Sequence, residues 1–185
     1  MGTRGLIVLI FNGKKVVLYN QFDSYFNGLG LTLLEELIIL LQTFTFDELV
    51  YKLSNVKIVT NQIVPSEYDE KALKNYTDLK VNRSSLAPNW YQLTRKTQGS
   101  LIQAISSSYF FDVSDEYTDE PDVFIEYRYY IDFDKQNFKC NRSAEWQCDL
   151  TLESLKNFIE TRFSETKENK SPETKENSYV LKTEA

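Results

Sequence analysis

Every residue from Leu6 to Phe11 is apolar, and the pattern resumes at Val16–Tyr19 after the polar step Asn12-Gly13-Lys14-Lys15. Two β-rich runs around Asn-Gly predict a hairpin, because both central residues of a type I′ turn need positive φ. The first strand, Thr3–Phe11, is apolar on both faces and belongs inside a sheet covered on both sides. Leu31–Thr43 is apolar nearly all round, which predicts a buried helix. Thr45 and Glu48 stand at capping-box spacing and open a second helix through Leu53.

Further along, "VKIVTNQIV" predicts a strand closed by Pro65, after which Ser66 caps a helix to about Asn75. "APNWYQLTRKTQGSLIQAIS" splits into two short helical pieces near Gly99, and "YFFDV" reads as a strand. In "VFIEYRYYIDF" one face carries Val123, Ile125, Tyr127, Tyr129, Ile131 and Phe133. Glu126, Arg128 and Asp132 share the other with Phe124 and Tyr130, the pattern of a half-buried antiparallel strand. "DKQN" turns the chain into "FKCNR", and Thr151 caps a last helix with Leu155, Phe158, Ile159 and Phe163 on one face. These elements predict an α+β fold: a mixed or mainly antiparallel sheet whose N-terminal hairpin packs against a buried helix.

After Phe163 the composition changes. "ETKEN" occurs at 165–169 and again at 173–177, with too few apolar residues to offset chain entropy. The expected organisation is one globular domain, 1–163, and a disordered polar tail, 164–185.

Composition narrows the chemistry. The chain has 185 residues, 42% of them hydrophobic, enough for one real core. It has no histidine, which removes Ser-His-Asp and Cys-His catalysis and the commonest metal ligand. The net charge is −6, and the segment 112–134 holds nine acidic residues against one basic. That segment outweighs the whole negative excess, so a nucleic-acid footprint is not expected. Asp115, Glu116, Asp119 and Glu120 form its candidate acidic patch. No metal or cofactor is expected; the spacing in "SDEYTDEPD" does not match a calcium loop, and "DFD" at 132–134 offers only two carboxylates. Cys140 and Cys148 are too few for a disulfide framework and have no zinc-ligand partners at the required spacing, which points to the reducing cytoplasm. No apolar run reaches the roughly 20 residues of a membrane span, and no membrane partner is expected.

The stretch "LYNQFDSYFNGLG", Leu18–Gly30, concentrates the remaining candidate chemistry. One reading is a ligand site: Tyr19, Asn20, Asp23, Ser24 and Tyr25 cluster beside a helix N-terminus, and Gly28 and Gly30 admit a ligand to the backbone. The other is a demanding turn whose glycines supply positive φ and whose Asp23 bonds its own backbone. Arg4 is expected to approach Asp23 across the hairpin, as a structural pair or as the floor of an anion pocket. Thr3 could act as an N-terminal nucleophile only if processing exposed it, and removal of Met1 stops at Gly2. Trp90 and Tyr91 are further candidates for anchoring a partner.

The opening "MGTRG", the box "YNQFDSY" and the following "GLG" resemble a scattered family of small proteins from fungi, large DNA viruses and phages. The likeness extends to "NWYQLTRKTQGSL" and "FIEYRYYIDFD" and so covers most of residues 1–140. That family's box commonly carries His where this chain has Gln21 and Pro where it has Phe26. The resemblance implies no particular activity, and any activity needing that His is not expected here. The function expected is a non-catalytic binding or structural protein of the cell interior, or of a virus particle, with a protein partner. The alternative is a hydrolase or a small anion-binding domain built on Arg4 and Asp23. The residues leave the choice open and lean away from an enzyme.

Overall fold

The computed structural model describes residues 2–81, 87–117, 124–142 and 146–168, with side chains as far as 163. The expected α+β fold is borne out. Strands β1 (Gly5–Phe11) and β2 (Lys14–Asn20) form the hairpin, with Asn12 at φ 50° and Gly13 at φ 68° in its turn. Helices α1 (Leu31–Thr43) and α2 (Phe46–Ser54) follow, then β3 (Lys57–Val59) and α3 (Glu67–Ala72). Next come α4 (Trp90–Leu93), α5 (Leu101–Ser107) and β4 (Tyr109–Phe111), and finally β5 (Tyr127–Asp132), β6 (Asn137–Cys140), β7 (Gln147–Asp149) and α6 (Leu152–Glu168).

The main sheet has the order β2-β1-β5-β6-β7, and it is mixed because β1 and β5 run parallel while the other neighbours are antiparallel. A second, parallel pair, β3-β4, abuts β2: the Val113 amide donates to the Val17 carbonyl at 2.9 Å, and the Val17 amide donates to Asp112 Oδ1 at 2.8 Å.

Central position explains the burial. On one face of β1, Ile7, Leu9 and Phe11 join a core with Leu33, Leu34 and Leu37 of α1, Leu101 of α5 and Leu155 of α6. Leu6 and Val8 enter a second core with Trp90, Leu93, Tyr109 and Phe111 on the other face. The strand β5 corrects the expectation of a half-buried antiparallel strand. It pairs in parallel with β1 and antiparallel with β6, and both its faces are buried: Tyr129 and Ile131 lie in the first core, and Arg128 and Asp132 are buried on the other face. Ile125, just before the strand, joins the second core rather than the face of Tyr129 and Ile131; Val123 lies outside the described residues.

The helix containing α1 begins earlier than its apolar run, with a π-helical turn over Phe26–Gly30. Phe26–Thr43 is long and apolar enough to cross a membrane by length and composition. Its Leu33, Leu34 and Leu37 are sealed in the core, whereas Ile39 is exposed, so burial is one-sided rather than all round. Glu36 interrupts the apolar run for a reason: its carboxylate accepts the Leu101 amide at 2.6 Å and the Ser100 hydroxyl at 2.5 Å, capping α5 from a neighbouring helix.

Other local signals hold. Thr45–Glu48 and Ser66–Asp69 form full capping boxes, Gly99 at φ 79° separates the helical pieces, and Gln136 at φ 52° turns β5 into β6. The strand expected over "VKIVTNQIV" shortens to three residues, and β7 is an addition. Helix α6 runs from Leu152 to Glu168. Phe163 is held by Phe26, whose ring it stacks at 5.4 Å, while Trp146 stacks on Phe26 at 4.1 Å. Residues 169–185, with the second ETKEN copy, lie outside the described residues.

Candidate functional site

The Leu18–Gly30 box divides into a structural half and a half that lines cavities. Asn20 is buried and its amide donates to the Phe22 carbonyl at 2.5 Å and to Ser24 Oγ at 2.8 Å. Ser24, fully buried, donates its amide to the Thr3 carbonyl at 3.1 Å and takes the Tyr129 hydroxyl on its own carbonyl at 2.9 Å. Thr3 is itself buried, inside the fold rather than offered as a nucleophile. These contacts clamp the box to the start of β1 and to β5.

The glycines serve this clamp by close approach, not by positive φ as expected. A Cβ at Gly28 would lie 2.5 Å from the Asp23 carbonyl oxygen, and one at Gly30 would lie 2.9 Å from both the Phe26 and Tyr129 rings. The left-handed residue is Asp23, at φ 53°, a conformation that Asp tolerates better than most side chains. Its carbonyl accepts the Leu29 amide at 3.0 Å.

Arg4 and Asp23 do not form an ion pair among the described residues. The Arg4 guanidinium stands 5.8 Å over the Phe124 ring, while Asp23 is exposed on the rim of a different cavity of about 350 Å³. Asn20, Gly28, Gly99 and Arg95 line that cavity as well, so the cation beside the box is Arg95, not Arg4. Tyr25 is exposed, edge-on to Tyr127 at 6.3 Å, and lines neither this cavity nor the next.

A second cavity, of about 340 Å³, opens on the neighbouring side of the end of β2. Phe111 and Val113 contribute apolar wall from the second core, and Tyr19, Tyr91 and Tyr117 supply rings. Tyr19 and Tyr117 are stacked, with centroids 5.7 Å apart and planes within 8°, and Tyr91 tilts against Tyr19 at 6.4 Å. Gln21 organises them: its Oε1 accepts the Tyr19 hydroxyl at 2.7 Å and the Tyr91 hydroxyl at 3.5 Å, the latter at the limit of a hydrogen bond.

The remaining wall is polar. Asn61 donates to the Glu116 carboxylate, and Asn89 accepts the Gln92 amide at 3.0 Å as the cap of α4. Among the described residues Glu116 is the one carboxylate lining the cavity. Beside it, Gln62 donates to Asp115 at 2.9 Å, so the described half of the acidic patch is tied to the loop after β3. Asp119 and Glu120 lie outside the described residues. The ridge between the cavities is Arg95, whose guanidinium lies 5.6 Å over both Phe22 and Tyr91.

Trp90 lines neither cavity. It is a core residue whose indole donates to the Ile63 carbonyl at 2.6 Å. Asp132 and Asp134 do not converge: Asp134 clamps the hairpin by accepting the Asn12 and Gly13 amides at 2.7 and 2.8 Å, and Asp132 accepts the Lys135 amide at 2.9 Å. Among the described residues no three metal-ligating side chains form a group.

Of the site predicted from sequence, the structure brings Tyr19 and Tyr91 to one cavity and Asn20, Asp23 and Gly28 to the other. Gln21 lies inside the Leu18–Gly30 box but was not among the residues expected to form the site. Arg95, Asn61 and Tyr117 carried no signal, because they arrive from separate loops.

Burial, followed by the neighbouring Tyr117, pushes the Tyr19 phenol up to about 12 against the lowering influence of Arg4 and Arg95. Burial and the Asp69 carboxylate raise Tyr109 to about 12 as well. A raised phenol stabilises the fold fully below the unfolded value of about 10, and the contribution is lost as pH rises toward 12. Spectrophotometric titration should therefore leave at least these two phenols protonated at pH 11 in the folded protein, and the chain should become easier to denature across that interval. Ionisation of all tyrosines near pH 10 without unfolding would show that the pocket is open to solvent.

Set against family models, curated proteins and solved structures, the chain matches none.

Proposed function

We propose that this is a non-catalytic binding protein whose recognition site is the cavity of Tyr19, Gln21, Tyr91 and Tyr117. The observation that carries the reading is a concave, aromatic-walled cavity in which Gln21 fixes the Tyr19 hydroxyl at 2.7 Å and Tyr19 and Tyr117 stack. Such preset rings lose little conformational freedom on binding, which is why tyrosine anchors recognition sites. The volume falls in the range of about 300–1,000 Å³ typical of ligand sites. The wall offers ring faces, amides and one carboxylate, and the tyrosine at its centre stays neutral at physiological pH. The partner is a protein segment rather than nucleic acid or membrane, in keeping with the acidic balance of the chain and with a long helix whose leucines are taken up by the core. Cys140 and Cys148 are unpaired on adjacent strands, offset along the ladder, which suits a reducing compartment.

The neighbouring cavity supports anion binding less well, because Asp23 and Arg95 share its wall and their charges oppose. Selection of random peptides displayed on phage, with counter-selection on a Tyr91→Ala/Tyr117→Ala variant, tests the proposal. Peptides that survive counter-selection and bind the parent protein are expected. Recovery only of peptides that bind both proteins equally would overturn it.

A further inference from the structure

Resting on that reading of the cavity, we infer that the group it accepts is an arginine side chain of the partner. Among the described residues that line the wall none is a cation, Arg95 standing outside it over Tyr91; the charged group is the Glu116 carboxylate, set among tyrosine rings and side-chain amides. Asn61 donates to Glu116 Oε1, and Oε2 takes no hydrogen bond among the described residues. A carboxylate beside π faces selects a cation. The choice of guanidinium over ammonium comes from shape. Tyr19 and Tyr117 are parallel, stacked rings, and a planar, weakly hydrated guanidinium extends such a stack by lying flat on an outer ring face while its edge donors reach a carboxylate.

The fold itself uses this chemistry at its surface repeatedly. Arg95 lies over Tyr91 and Phe22, Arg142 stands 5.0 Å over Tyr127, and Arg4 stands over Phe124. Arg142 combines its ring with a carboxylate, Glu126, at 3.9 Å, the pairing that Tyr117 and Glu116 would offer to a partner. The Asp115 carboxylate, next to Glu116 in the chain, adds negative charge beside the cavity and assists the encounter.

The test uses a peptide recovered by the selection above and its citrulline analogue, in which the guanidinium is replaced by a neutral urea of the same shape. Titration calorimetry with the full chain should show the arginine peptide binding about tenfold or more tightly than the citrulline peptide. With Glu116→Gln, the arginine peptide should weaken and the ratio should fall toward one. Equal binding of the two peptides by the parent protein, or pocket-dependent peptides lacking arginine, would overturn the arginine assignment while leaving the cavity's role as a binding site intact. Failure to recover any pocket-dependent peptide overturns both.

Discussion

Replacing Gly28 by Ala should destabilise the protein by about 2 kcal/mol, against the direction that helix propensity alone predicts. Within a helix, Gly to Ala normally gains up to about 1 kcal/mol through lower backbone entropy. Gly28 sits in the π-helical turn at a φ that Ala accepts, so no left-handed strain intervenes. The obstacle is the Asp23 carbonyl, 2.5 Å from the new Cβ, a backbone atom that can yield only if the loop moves. Moving it strains the Leu29–Asp23 hydrogen bond, and through Ser24 the contacts to Thr3 and Tyr129. Overpacking at a fixed site costs about 1–3 kcal/mol, which outweighs the propensity gain. Urea denaturation of Gly28→Ala beside the exposed neighbour Asn27→Ala separates the effects. Stabilisation in both variants would show that the box is not clamped as described.

Asp69→Ala should cost about 3 kcal/mol. This carboxylate, buried beneath α3, accepts from Lys57 Nζ at 2.6 Å, the Tyr109 hydroxyl at 2.8 Å, the Ser66 hydroxyl at 2.7 Å and the Ser66 amide at 2.9 Å. Removing it strands a buried phenol and opens the capping box, each a loss of about 1 kcal/mol or more. Lys57 is half exposed, so its charge adds little beyond its hydrogen bond. Burial disfavours the ionised carboxyl, but the lysine and the three hydrogen bonds outweigh it and hold Asp69 well below the usual carboxylate range. The sign follows: the contribution is complete above the unfolded value of about 3.9 and is lost as pH falls through the lower folded value. Chemical denaturation at pH 7 and pH 3 checks both parts. The deficit of the variant relative to the parent should shrink at the lower pH, and a deficit below about 1 kcal/mol at pH 7 would contradict the network.

Much of this fold was legible because its signals are local. Asn12-Gly13 dictates its turn, Thr45–Glu48 and Ser66–Asp69 dictate their helix starts, and the two-sided apolar pattern of β1 marks a central strand. The misreadings came from partners distant in sequence. Alternation in β5 suggested a wet face, yet segments distant in sequence pack over both faces, burying Tyr129 and Ile131 on one and Arg128 and Asp132 on the other. Gly28 and Gly30 looked like turn residues because sequence does not show that Asp23 and Tyr129 press against them. The site was half legible for the same reason. Tyr19 and Gln21 lie in the box, but Tyr91, Tyr117 and Asn61 reach it only through tertiary packing, and Arg95 replaces the Arg4 expected beside Asp23.

The most direct test takes peptides selected on the parent alone, with no counter-selection, and compares their affinity for three folded proteins: the parent, Tyr91→Ala/Tyr117→Ala and Asp23→Ala. These variants empty the tyrosine cavity and the neighbouring one in turn. Binding should fall at least about tenfold in the double variant, as for loss of aromatic anchors, and stay at the parental level in Asp23→Ala. Binding that survives the tyrosine substitutions and is lost with Asp23 would contradict the account and place recognition in the other cavity.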